Sequence, residues 1–421
     1  TNLDVVDIDG AVDMASTLTV AGNVVIDGGT IKLDGNYPTG TDNVALGDTA
    51  GDSLTSGIDN TLIGSQAGTA LTDADYNTAI GFKALNADTL GSKSTAVGRG
   101  ALLTQNFTSA TDSNNTAVGF NAGVLVTTGT NNTLIGGIAG DAITTGSNNV
   151  ALGHDSLGLN TTGDSNTAIG EDALQANTTA SNNVAVGRRA MFANTTGTDN
   201  VAMGHNALDA NTTADNNTAI GHDALTANTT GANNSALGSL SLDANTTGAS
   251  NTAVGKQALT TNTTGSFNTA VGTGSLALAT TASDNTAVGY DALVANTTGS
   301  ENTAVGSVAL AANTTAQRNT AVGHDNMAAT TTGSYNSALG HRVLFVNTVG
   351  TENVAMGYVA MDANTEGSYN VALGVNALGG NTTADNNTAV GFGAMIANTT
   401  GANNVAVGQN ALDANTTASN N

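Results

Sequence analysis

Apolar and polar positions along most of the chain follow neither the two-residue beat of a long strand nor the 3.6-residue beat of a helix, but a period of 17 residues. The unit is Asn, Thr or Val, Ala, an aliphatic residue and Gly. Its glycine falls at 47, 64, 81 and 98, then at 119 and every 17 residues up to 408, giving 22 copies with one spacing of 21 between Gly98 and Gly119. With this glycine as position zero, −1 is aliphatic in every copy, −2 is Ala except at Leu62 and Leu134, and −4 is Asn except at Ser94. A stretch such as Asn217-Thr218-Ala219-Ile220-Gly221 predicts a short strand closed by a glycine, which supplies a positive φ or a close chain approach at a corner.

The rest of the unit resembles His222-Asp223-Ala224-Leu225-Thr226-Ala227-Asn228-Thr229-Thr230-Gly231. Position +4 is Leu or Met in 18 copies and Gly in four, Gly51, Gly68, Gly123 and Gly140. In those four, +7, usually Asn, becomes Leu54, Leu71, Val126 or Ile143. The apolar group has moved three places, so +4 and +7 compete for one interior space. Three residues apart share a face in a helical turn and oppose each other in a strand, so this limb reads as a single helical turn or an irregular corner. Six of the seven Met sit at −1 or +4 (Met191, Met203, Met327, Met356, Met361 and Met395), as flexible core filler would.

A 17-residue unit cannot bury its apolar face alone, and stacking equivalent units solves that problem. The fold expected is all-β, a parallel β-solenoid (β-roll or β-helix) of about 22 turns over residues 42–421. At roughly 4.7–4.9 Å per turn it makes a rod on the order of 100 Å long. The Asn at −4 should stack into a ladder of amides, and the Asn-Thr-Thr-Gly tract suits a turn with local side-chain to backbone bonds. Gly221, Gly255 and Gly289 typify the corner, Asn217, Asn251 and Asn285 the ladder, and Ile220, Val254, Leu225 and Leu259 the apolar filling. That filling is thin, and packing solenoids around a common axis, as a parallel homotrimer, would bury more of it.

Residues 1–41 lack the repeat. Asp4 to Gly10, Ser16 to Gly28 and Thr30 to Gly35 read as short strands broken by Gly and Asp, with the single Pro, Pro38, at the junction; this is expected to be a β-rich cap or attachment segment. The next glycine would fall at 408 + 17 = 425, so Asn421 stands at −4 of an unfinished copy, and the chain starts at Thr1 without Met. Both facts read as a longer polypeptide cut mid-repeat. Four extra residues between Leu103 and Asp112, Phe107 among them, should bulge outward as a neutral loop or a docking point.

Composition narrows the function. Nine Lys and Arg against 33 Asp and Glu leave a formal charge of −24, which excludes a phosphate-binding surface and so nucleic acid. No apolar run approaches the roughly 18 residues of a membrane span. Zero Cys excludes disulfides and thiolate metal sites, while 13 aromatics and no Trp are too few for ordinary enzyme cores.

Asn251-Thr252-Ala253-Val254-Gly255, with Ala258 three places on, resembles the head repeat of trimeric autotransporter adhesins, although that repeat is shorter. The Val-Asp-Ile-Asp-Gly and Thr-Leu-Thr-Val-Ala-Gly opening resembles tail-fibre and other structural proteins of marine bacteriophages. The resemblance implies a trimeric surface-adhesion rod. The leading expectation is a phage tail fibre in the virion. Its partners would be other copies of itself, baseplate or fibre proteins, and a host-surface glycan or protein. The alternatives are a bacterial cell-surface adhesin or extracellular filament, and an ice-binding solenoid with stacked Thr columns. No enzyme, cofactor or resident metal is expected.

Several residue columns could nonetheless carry chemistry. All five His (His154, His205, His222, His324 and His341) occupy +1, and two neighbouring pairs would stack one turn apart, close enough to share a metal. Elsewhere the same position holds Phe82, Arg99, Glu171, Lys256, Tyr290 and Gln409, as expected of an exposed, unconstrained site. Aromatics at +1 (Phe82, Phe120, Tyr290, Tyr358, Phe392) and −5 (Tyr76, Phe267, Tyr335, Tyr369) could stack on sugars or simply pack against the next turn or subunit. Asp155, Asp172, Asp223, Asp291 and Asp325 share +2, where a solvated face or the start of a helical turn accounts for them without a catalytic pair. The Asn-x-Thr tripeptides follow from the repeat.

Overall fold

A computed structural model describes residues 40–421, so the cap expected over 1–41 lies almost wholly outside the described residues. Each copy of the motif forms one three-residue strand, from Val44–Leu46 to Val405–Val407, and the 22 strands make one continuous sheet. Neighbours run parallel and in register: Thr252, Ala253 and Val254 pair with Thr269, Ala270 and Val271, 17 residues on. The longer spacing is absorbed without a register change, since Thr95 pairs with Thr116. The chain is therefore the expected parallel β-solenoid.

The corner glycine meets both demands placed on it. Gly221, Gly255 and Gly289 have φ of 139°, 131° and 136°, and a Cβ on Gly221 would lie 2.6 Å from the Gly238 backbone of the next turn.

The second limb is not a helical turn, and no helix occurs among the described residues. Positions +2 and +4 are left-handed, as at Asp223 (φ 52°) and Leu225 (φ 55°), which a right-handed helix cannot accommodate. Two reverse turns replace it, closed by the Ala224 N–H on the Gly221 carbonyl and the Asn228 N–H on the Leu225 carbonyl, both 3.3 Å. The Leu225 N–H donates to Ser241 O at 2.9 Å in the next turn, while the Asp223 N–H donates to His205 O at 3.1 Å in the previous one. Adjacent turns thus satisfy backbone groups that a helix would have satisfied internally. The expectation that Asp at +2 starts a helical turn is corrected accordingly: Asp tolerates the left-handed region better than most residues.

The same turns explain the exchange between +4 and +7. In the Gly68 and Gly140 copies, a Cβ at +4 would lie 2.8 Å from Leu71 Cδ1 and from Ile143 Cδ1 respectively. Leu62 and Leu134, the two exceptions to Ala at −2, fill the remaining room, with Cδ atoms 2.7 Å and 2.8 Å from those Cβ positions.

One expectation about the core is reversed. Ala253 at −2 is fully buried, as are Leu225 and Leu259 at +4, but −3 and −1 face outward. Ile220 and Val254 are therefore half-buried outer residues. Met203 and Met356 at −1 are 43% and 48% exposed, whereas Met191, Met327, Met361 and Met395 at +4 are buried. Where Leu or Met at +4 already fills the interior, Ala takes the inward strand position and the larger group goes outside; Leu62 and Leu134 enter only in copies whose +4 is Gly.

Amides fill the remaining interior. Asn217, Asn251 and Asn285 are all buried. The Asn251 N–H donates to Asn234 Oδ1 at 3.0 Å, and Asn251 Nδ2 donates to Gly265 O at 2.9 Å, so the ladder runs through backbone N–H groups as well as amides. A second buried ladder, not anticipated, runs through +7: Asn228 Nδ2 donates to Asn211 Oδ1 at 3.0 Å and to Gly231 O at 2.9 Å. Its signal was present in the sequence, since +7 is Asn in 14 copies. The Thr that follows bonds not locally but to the next turn, as Thr246 Oγ1 does to Thr263 O at 3.0 Å.

Candidate interaction surfaces

The most extensive surface is the outer face of the sheet. Every strand contributes an aliphatic residue at −1 and Thr, Val or Ser at −3, and none of these outward positions carries a charge. On a chain of net charge −24 this leaves an uncharged strip running the length of the rod. A shallow apolar depression on it is lined by Val322, Leu339, Val354 and Met356.

The +1 column lies on the exposed flank beyond the corner. His205 stacks on His222 with ring centroids 5.3 Å apart, His324 on His341 at 5.4 Å, and His341 in turn on Tyr358 at 5.5 Å. The Asp at +2 turns toward its own His: His222 Nδ1 lies 3.0 Å from Asp223 Oδ2 and His324 Nδ1 3.3 Å from Asp325 Oδ2. His154 has no neighbouring histidine in the column. Arg99 lies between Phe82 and Phe120, its guanidinium 5.8 Å and 5.4 Å from their ring centres. Phe82, Phe120, Tyr290, Tyr358 and Phe392 are all exposed, as are Tyr76, Phe267, Tyr335 and Tyr369 at −5.

The extra residues between Gly98 and Gly119 do not simply bulge outward. Thr108, Ser109 and Ala110 are exposed, but Phe107 is buried and Gly91–Ser92 pairs with Thr111–Asp112 in a two-stranded sheet. This segment closes over Asp88, which stands at +7 in place of Asn. Asp88 accepts from Gln105 Nε2 at 2.6 Å, the Gly91 N–H at 3.0 Å and the Phe107 N–H at 3.1 Å. The insertion also compensates for Ser94, the one break in the −4 ladder: the Asn115 N–H, which would have used an Asn at 94, finds Ser113 Oγ at 3.5 Å.

Burial pushes the Asp88 carboxyl above the usual carboxylate range, and does the same to Asp141, Asp155, Asp243 and Asp362. Like charges on adjacent turns add to the effect, Asp155 acting on Asp141 and Asp223 on Asp243. These groups bind protons more readily folded than unfolded, so their contribution favours folding at low pH and is lost as pH rises from 3.8 through the raised native values. Relief of self-repulsion among the acids acts in the same direction. The melting temperature should therefore rise as pH is lowered through the raised native values toward 3.8, measurable by circular dichroism; a monotonic fall over that window would contradict these assignments.

These surfaces belong to a parallel β-solenoid. The chain matches no protein-family model and no curated protein.

Proposed function

We propose that the protein is the shaft of a homotrimeric, host-facing fibre, a phage tail fibre, in which three solenoids pack their uncharged sheet faces around a common axis. The observation that carries this reading is the outward aliphatic at −1 in all 22 strands. Such a strip exposes apolar area along a rod of roughly 100 Å, which single soluble chains rarely leave uncovered. With 33 acids elsewhere on the chain, the uncharged face is where two copies meet without repulsion. Trimeric assembly and surface attachment follow from the resemblance of the repeat to adhesin heads and of the opening residues to phage fibres. The rod acts by stiffness and reach rather than catalysis, with baseplate or fibre proteins and a host-surface glycan or protein as its further partners.

The same face bears a run of Thr at −3 from Thr252 to Thr320, which an ice-binding surface would use. Val150, Val184, Val201, Val354, Val371 and Val405 interrupt that column elsewhere, which favours assembly. Light scattering on the full chain should give three times 41.2 kDa, and replacing Val254 and Val288 together by Asp should yield monomers. A monomeric wild-type chain overturns the proposal, and thermal hysteresis in that monomer would point to ice instead.

A further inference from the structure

We propose that His205, His222 and Asp223, and separately His324, His341 and Asp325, bind a divalent transition-metal ion of the Zn2+ or Ni2+ kind. In each trio one imidazole nitrogen, the second imidazole nitrogen and a carboxylate oxygen lie within 4.8 Å of one another. The His–Asp separations, 3.0 Å at His222–Asp223 and 3.3 Å at His324–Asp325, already match neighbouring ligands on one ion. Ligands bonded at about 2.0–2.1 Å stand roughly 2.9–3.4 Å apart, for angles between octahedral and tetrahedral. The second imidazole is stacked nearly parallel, at 12° in the first pair and 5° in the second, and needs only side-chain rotation to close on the ion. The His222 and His324 side chains are 60% and 55% exposed, so the remaining coordination positions stay open to water. The rotation takes His205 off its contact with Arg188 and His341 off its stack on Tyr358.

Stacking alone does not make a site, since His341 stacks on Tyr358 with the same geometry. The carboxylate distinguishes the two pairs. It comes from the later turn in the first trio and from the earlier turn in the second, so the two are not copies of one duplicated segment. Two imidazoles with one carboxylate suit Zn2+, Ni2+ or Cu2+, whereas Mg2+ and Ca2+ take oxygen ligands. The first trio has a cationic neighbour, Arg188, whose Nη1 lies 3.5 Å from His205 Nε2 and whose Nε pairs with Glu171 at 3.3 Å.

The test is calorimetric titration of Zn2+, and separately Mg2+, into the chelator-stripped full chain carrying no polyhistidine tag. Two equivalents of Zn2+ per chain are expected, one for each trio. His222→Ser and His341→Ser should each leave one equivalent and the double variant none, while His154→Ser leaves both. Serine already occupies +1 at Ser65, Ser239 and Ser307, so the turn accepts it. No Zn2+ uptake by the wild type, full uptake by the double variant, or equal uptake of Mg2+ overturns the proposal.

Discussion

Gly255→Ala should split the rod. Gly255 has φ 131°, a region essentially closed to residues with a side chain, and a Cβ there would lie 2.7 Å from the Gly272 carbonyl carbon and oxygen. Neither group can retreat, because the Gly272 backbone is held by its own strand and by the turn after it. Backbone strain and overlap together should cost about 2–6 kcal/mol. In a solenoid each turn touches only its neighbours, so the loss is local. Calorimetry should show one cooperative transition becoming two, with limited proteolysis cutting near residue 255. An unchanged single transition would mean that the close approach at this corner is not rigid.

Asn251→Ala is the second large effect expected. It removes Asn251 Oδ1, which accepts the Asn268 N–H at 3.0 Å, and Nδ2, which donates to Gly265 O at 2.9 Å. Gly265 O keeps Asn262 Nδ2 at 3.0 Å, but the Asn268 N–H is left inside the rod without an acceptor. One buried orphan and the lost bonds should cost about 2–4 kcal/mol, read as a lowered denaturant midpoint. The converse experiment uses a natural break in the +7 ladder. Ala279 interrupts it, and Asn262 Oδ1 has no partner. Ala279→Asn should supply that donor and accept from Asn296 Nδ2, raising stability by about 1–2 kcal/mol. If both substitutions left the midpoint unchanged, the amide ladders would not be what holds successive turns together.

The insertion shows how much local chemistry the repeat hides. Comparing copies in the sequence exposes Ser94 as a lone exception and Asp88 as a misfit at +7, but not that one segment answers both. Ser113, at the insertion's far end, serves the N–H that Ser94 would leave bare, and Gln105 and Phe107 satisfy the Asp88 carboxylate. These partners come together only when turns of unequal length stack.

The period, the strand at −3 to −1, the glycine corner, the −4 ladder and the exchange between +4 and +7 were all legible in the sequence. Each rests on a residue type that only one local environment tolerates, repeated often enough to stand out. Sidedness was not. A three-residue strand has two faces, and Ala at −2 beside Val or Ile at −1 invites the larger residue into the core. The stacked structure decides otherwise, because a cross-section already holding two amides and a Leu or Met at +4 leaves room for a methyl group alone. A larger −2 residue enters only at Leu62 and Leu134, where +4 is Gly. The second limb was hidden for a related reason. Asp223 and Leu225 favour right-handed backbone locally, and they become left-handed because the neighbouring turns offer hydrogen bonds only in that conformation. The sequence by itself determined what repeats; stacking determined which side of each repeat faces the world.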